Sequence, residues 1–112
     1  AFIRDKTIIE KNSIIGAYVE VTRSFINQNV YASHRAFIGD ASIGKNTIIG
    51  AGTVFCNFNF ISKKKQKINV GNDVKIGSNS TIIAPIKIKA KSIIPASSKV
   101  KASNLKLFSH KV

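Results

Sequence analysis

The stretch Ile38-Gly39-Asp40-Ala41-Ser42-Ile43-Gly44-Lys45-Asn46-Thr47-Ile48-Ile49-Gly50-Ala51-Gly52-Thr53 decides the fold. A β-branched residue recurs in it every five or six positions, at Ile38, Ile43 and Ile49, and a glycine follows each one. Working back toward the start, the same step reaches Ala32, Ile26, Val21, Ile15, Ile9 and Ile3. Working forward it reaches Phe55, pauses, and resumes at Val70, Ile76, Ile82, Ile88, Ile94 and Val100. Fourteen of these sixteen positions are Ile or Val. A helix needs apolar residues at offsets of three, four and seven, which this pattern does not supply. The spacing predicts a short strand centred on each β-branched residue, then a tight turn where Gly or Asn accepts positive φ. Three such units close one triangular coil, and stacked coils point each Ile or Val onto its equivalent one coil away. About five or six coils are expected over residues 1–100. A two-sheet β-sandwich also uses short strands, but it does not keep so uniform a spacing.

The pause between Phe55 and Val70 holds Cys56-Asn57-Phe58-Asn59-Phe60-Ile61 and the basic run Ser62-Lys63-Lys64-Lys65-Gln66-Lys67. It predicts one ejected loop near residues 57–67, and a loop carried by a rigid solenoid is where binding residues tend to sit. Beyond Val100 the period is lost, and residues 101–112 read as a C-terminal tail. The single Cys excludes an internal disulfide framework and any CxxC motif. Apolar runs are too short for a transmembrane helix. The chain has no Met and begins at Ala1, which predicts a segment of a longer or processed protein. The formal net charge is +13. Because Ile, Lys, Asn and Phe supply 51 of the 112 residues, all with AT-rich codons, codon bias is preferred over a nucleic-acid footprint as its source.

Several motifs narrow the reading further. They are Gly16-Ala17-Tyr18-Val19-Glu20, Ala32-Ser33-His34, the two Ile-Gly units of the opening stretch, and Cys56-Asn57-Phe58. Val70-Gly71-Asn72-Asp73-Val74, Ile76-Gly77-Ser78 and Ala84-Pro85 complete the series. In this order and with these gaps they resemble the hexapeptide acyltransferases. More narrowly, they resemble the C-terminal acetyltransferase domain of the bacterial bifunctional N-acetylglucosamine-1-phosphate uridylyltransferase / glucosamine-1-phosphate N-acetyltransferase. The resemblance implies an all-β, left-handed parallel β-helix; the hand comes from the family, because periodicity alone does not give it and parallel crossovers are otherwise right-handed. It also implies a cytoplasmic homotrimer with active sites between neighbouring β-helices, and no membrane partner. Acetyl would pass from acetyl-coenzyme A to the amine of glucosamine 1-phosphate, in UDP-N-acetylglucosamine biosynthesis. A nucleotidyltransferase domain would precede Ala1, with Mg required only there.

An amine attacking a thioester sheds a proton to an acceptor with pKa near working pH, the task histidine suits best. His34 matches the family's catalytic histidine; His110, in the tail, is given no role. Asn57 and Phe58 match the family's Asn-Tyr pair at the acetyl-coenzyme A and acceptor site, and Ala51, Ser78 and Ala96 match positions lining the coenzyme channel. Lys65 matches the loop lysine, a point charge suited to phosphate. Other positions depart from the family. Thr22 stands where a lysine is expected, with Arg23 beside it; Phe37 replaces a tyrosine and Ile48 an asparagine. Arg4 or Lys6 takes the place of an N-terminal arginine. The substrate-side candidates are thus Lys65, Phe37, Arg4 and Arg23. Two other functions compete with acetyl transfer: a catalytically degenerate trimerisation scaffold, and a basic β-helix holding an anionic polymer such as nucleic acid. An acetyltransferase for another amino sugar is a variant of the first.

Overall fold

The computed structural model describes residues 1–108. His110 lies outside the described residues. The chain winds as a parallel β-helix whose strands fall on three faces, stacked through about six coils. The first face stacks Phe2–Ile3, Glu20–Thr22, Phe37–Gly39, Val54–Cys56, Thr81–Ile83 and Lys99–Val100. The second stacks Ile8–Ile9, Phe25–Ile26, Ala41–Ile43, Ile68–Val70 and Ile86–Ile88. The third stacks Ile14–Ala17, Tyr31–His34, Ile48–Ile49, Lys75–Ile76 and Ile93–Ile94. Each of the sixteen repeat positions occupies one of these sixteen strands, in the expected register. Ile9 pairs with Ile26, Ile26 with Ile43, Ile43 with Val70, and Val70 with Ile88.

Thirteen of the sixteen are buried. The exceptions lie in the first coil, where Ile3 is 42% exposed, Ile9 is 36% exposed and Ile15 is half-buried. An inward side chain in a solenoid is covered by the coils above and below it, and the first coil is stacked on one side only. At the other end Val100 is fully buried. There a short 3-10 helix, Ala102–Phe108, brings Leu105 and Phe108 against the core.

A second inward position, two residues before the first, was not evident from the sequence. It holds Val19, Val30, Ala36, Ile68 and Val74, but also Thr47, Thr53, Ser80 and Ser92, all buried. The hydroxyls there donate to turn carbonyls, Thr47 Oγ1 to Gly71 O at 3.0 Å and Ser92 Oγ to Lys89 O at 2.7 Å. Buried hydroxyls satisfied in this way carry little penalty.

The expectation that Gly or Asn supplies the positive-φ turns holds for Asn12, Asn29, Asn46 and Asn79, but for glycine at one position alone. Only Gly52 has positive φ; the other positions with it in the coil turns are Asn, Asp, Lys, Arg, Tyr and Ser. The glycines are required by stacking instead. A Cβ on Gly50 would lie 2.5 Å from the Ser78 nitrogen, and one on Gly71 would lie 2.6 Å from the Ala90 nitrogen.

Between the first and second faces the chain leaves the coil as an antiparallel hairpin, Phe58–Asn59 against Lys64–Lys65. This is the loop anticipated from the pause in the repeat.

Candidate active site at two corners of the coil

The turn from the third face to the first forms one corner. Ala17 pairs directly with His34 at the ends of their strands. The register Tyr31 to Ile48, Ile48 to Lys75 and Lys75 to Ile93 then places Ala51, Ser78 and Ala96 at the same level of successive coils. Backbone hydrogen bonds fix the part of this column from Ala51 to Ala96, whereas between His34 and Ala51 the pattern shifts by one residue and the Gly52 N–H donates to Arg35 O. The Asn79 N–H donates to Ala51 O and the Ser97 N–H to Ser78 O, each at 2.8 Å. His34, Ser78 and Ala96 are exposed and Ala51 is half-buried. Four of the residues proposed from the motifs therefore share one edge of the molecule. Three of the four are small, so an extended ligand can lie along the backbone there.

The turn from the first face to the second forms another corner, of different character. Arg23, Asp40 and Asn57 stack one above the other, seventeen residues apart. Arg23 Nε donates to Asp40 Oδ1 at 2.8 Å and its Nη2 to Oδ2 at 3.0 Å. Its Nη1 donates to Thr22 Oγ1 at 3.1 Å. Asn57 Nδ2 donates to Asp40 Oδ2 at 2.6 Å. The Arg23 guanidinium, opposed by partial burial, holds the Asp40 carboxyl below its usual range; Asn57 and the charge of Lys65 act in the same direction. Asp40 in turn raises the Arg23 pKa. With its amide nitrogen committed to Asp40, Asn57 keeps Oδ1 as an acceptor for a ligand N–H. Gly39 makes room for this packing, since a Cβ there would sit 2.5 Å from Asn57 Nδ2 and 2.8 Å from the Phe37 ring.

Phe58 follows Asn57, 44% exposed, with its ring edge-on to Phe60 at a centroid separation of 5.6 Å. Lys65 pairs across the hairpin with Phe58. Phe37 is half-buried on the first face, whereas Ile48 faces outward on the third. Thr22 is buried. Arg4 is held by Glu20 at 2.8 Å.

The structure thus gathers His34, Ala51, Ser78 and Ala96 at one end of the first face and Arg23, Asn57, Phe58 and Lys65 at the other, with Phe37 on the face between them. From His34 to Asp40 the chain advances six residues, at most about 20 Å at about 3.3 Å per residue. An open groove of about 600 Å³ lies on that face between them, lined by Tyr18, Glu20, Arg35, Phe37 and Val54 together with Ala36 and Gly52. Sequence reasoning passed over Asp40 and Arg35. Asp40 had a signal, the equal seventeen-residue spacing from Arg23 to Asp40 to Asn57. Three of the strand lysines fall on different faces, Lys75 on the third, Lys87 on the second and Lys99 on the first. Burial pushes the thiol of the half-buried Cys56 up, away from a nucleophilic role.

Fold and repeat together define a hexapeptide-repeat β-helix protein. Residues 67–97 match the family model described as the hexapeptide repeat of succinyl-transferase. More particularly, the chain is homologous over most of its length to bifunctional proteins GlmU. It is 49% identical over 88 residues to that of Aquifex aeolicus (strain VF5), a match covering 79% of this chain and 18% of the relative. It is 43% identical over 98 residues to that of Thermotoga petrophila, covering 88% and 22%. With that of Wigglesworthia glossinidia brevipalpis it shares 41% identity over 100 residues, covering 89% and 21%. The chain therefore spans about a fifth of the length of the curated relatives it matches. Among solved structures, the acetyltransferase domain of PglB from Neisseria gonorrhoeae FA1090 in complex with acetyl coenzyme A superposes with a TM-score of 0.49. That match is 17% identical and covers 88% of this chain and 54% of the other.

Proposed function

We propose that this chain transfers acetyl from acetyl-coenzyme A to the amine of an amino-sugar phosphate, glucosamine 1-phosphate, as part of a GlmU-like protein. The observation that carries the proposal is the single column of His34, Ala51, Ser78 and Ala96, which sets a candidate base beside a track of small residues. The coenzyme's pantetheine arm lies along that track, and the acceptor amine meets the thioester near His34. The amine nitrogen attacks the thioester carbonyl while His34 takes its proton. The C–S bond breaks, an amide forms, and coenzyme A leaves as the thiolate and is then protonated. Asn57 and Phe58 lie at the other corner of the first face. In this reading they serve from a neighbouring copy, in the homotrimer that the family resemblance implies.

The changed acceptor positions favour a second reading, a trimerisation scaffold without turnover. Thr22 is buried, Phe37 lacks a hydroxyl, and both Arg4 and Arg23 are engaged by carboxylates. A thiol-release assay with acetyl-coenzyme A and glucosamine 1-phosphate separates the two. One thiol per acetylated amine is expected; a protein that binds the coenzyme yet releases none with any amino-sugar phosphate is the scaffold.

A further inference from the structure

The chain has three arginines. Arg4 is paired with Glu20 and Arg23 with Asp40, both at 2.8 Å. Arg35 is different. Among the described residues its guanidinium makes no hydrogen bond or ion pair, and the side chain is exposed. Its backbone, by contrast, is clamped from both sides. The Arg35 N–H donates to Ala17 O at 2.9 Å, and Arg35 O accepts from the Gly52 N–H at 2.6 Å. With φ at 40°, the residue interrupts the strand alternation where the third face turns into the first. It lines the groove of about 600 Å³ as the one cation in a wall of Tyr18, Phe37, Val54 and smaller residues. The only carboxylate in that wall, Glu20, is taken by Arg4. Arg35 also directly follows His34.

We infer that Arg35 is the phosphate anchor of the acceptor, an inference that rests on the acetyl-transfer reading of this site. An amino sugar bearing phosphate on the carbon next to the amine-bearing carbon needs a base and a cation close together, and consecutive residues at a turn supply both. A guanidinium meets phosphate with two parallel hydrogen bonds, fixing its direction as well as its charge. Thr22, Phe37 and Ile48 offer no charge, and the other two arginines are committed to carboxylates. Lys65 is carried by the hairpin of the other corner and is a point charge, without the fork of the Arg35 guanidinium. Arg35 therefore sets the specificity of the groove for a phosphorylated amine.

The test compares glucosamine 1-phosphate with glucosamine as acceptors for the wild type, Arg35→Gln and Arg35→Lys. Arg35→Gln should lower the kcat/KM ratio of phosphorylated to plain acceptor by about tenfold to a hundredfold, the range for a charge-assisted hydrogen bond. The change should appear in KM, and Arg35→Lys should recover part of it. An unchanged ratio overturns the inference. So does a rise in KM for acetyl-coenzyme A alone, which would assign the cation to the coenzyme's phosphates. A second readout does not depend on turnover. In ¹⁵N spectra, glucosamine 1-phosphate should shift the Nε–Hε signal of Arg35 and leave those of Arg4 and Arg23 in place, while glucosamine should move none. If the wild type transfers no acetyl but Arg35 still shifts, the acetyl-transfer reading fails and the anchor stands. If Arg35 does not shift, the anchor fails.

Discussion

The two corners that bound the first face are built from the same repeat and have opposite electrostatic economies. At the corner between the first and second faces, Arg23, Asp40 and Asn57 satisfy one another through hydrogen bonds of 2.6 to 3.0 Å. At the corner between the third and first faces, His34, Arg35 and Ser78 form no side-chain hydrogen bond among the described residues and are left to solvent. No buried side-chain nitrogen or oxygen among the described residues lacks a partner. Polar groups without protein partners are therefore confined to exposed positions, and His34 and Arg35 bring two such groups together. The difference separates residues that hold the coil in shape from residues available to a ligand, with Asn57 serving both purposes, through Nδ2 on Asp40 and through Oδ1 toward a ligand. Asp40 belongs to the first kind and His34 to the second.

Substitution at each corner should sharpen that division. The largest effect is expected from His34→Ala, which should lower acetyl transfer by about 10² to 10⁴, the range for a positioned general base. Its stability to urea should change by less than about 0.5 kcal/mol, as for an exposed residue without partners. A full rate in this variant would remove His34 from catalysis. Asp40→Ala should do the reverse to stability. With its carboxylate only 14% exposed and partnered by both Arg23 and Asn57, its loss should cost about 1 to 2 kcal/mol in urea unfolding. The smallest effect is the pH dependence of that cost. Because the folded-state pKa of Asp40 is depressed, its stabilisation is fully present above the unfolded value of about 4 and is lost as pH falls through the folded value. Wild type and Asp40→Ala should therefore converge in stability below about pH 4. A constant difference between pH 7 and pH 3 would show that the ion pair is not what Asp40 contributes.

Most of the fold could be read from sixteen residues, because a solenoid core is made of contacts between equivalent positions and equivalence is visible as a period. The second inward position escaped notice because it mixes Val and Ile with Thr47, Thr53, Ser80 and Ser92, whose hydroxyls reach turn carbonyls instead of water. The glycines were assigned to turns, although most serve to let the next coil approach. At the candidate site, motif matching brought out His34, Ala51, Ser78 and Ala96, and the register joins them in one column. It did not bring out Arg35, whose significance depends on which arginines are already paired. Pairing across sixteen or seventeen residues is a property of the coil that no local motif carries.

The proposed transfer requires the two corners to meet between copies of the chain. Co-refolding an equal mixture of His34→Ala and Asn57→Ala tests this most directly, because each variant spoils one corner and leaves the other whole. Each alone should be nearly inactive. In a homotrimer whose sites draw one corner from each of two neighbours, about a quarter of the sites in the mixture should carry both intact residues, restoring up to about a quarter of wild-type thiol release. A mixture no more active than the sum of the separate variants would contradict the account and place His34 and Asn57 in the service of a single chain.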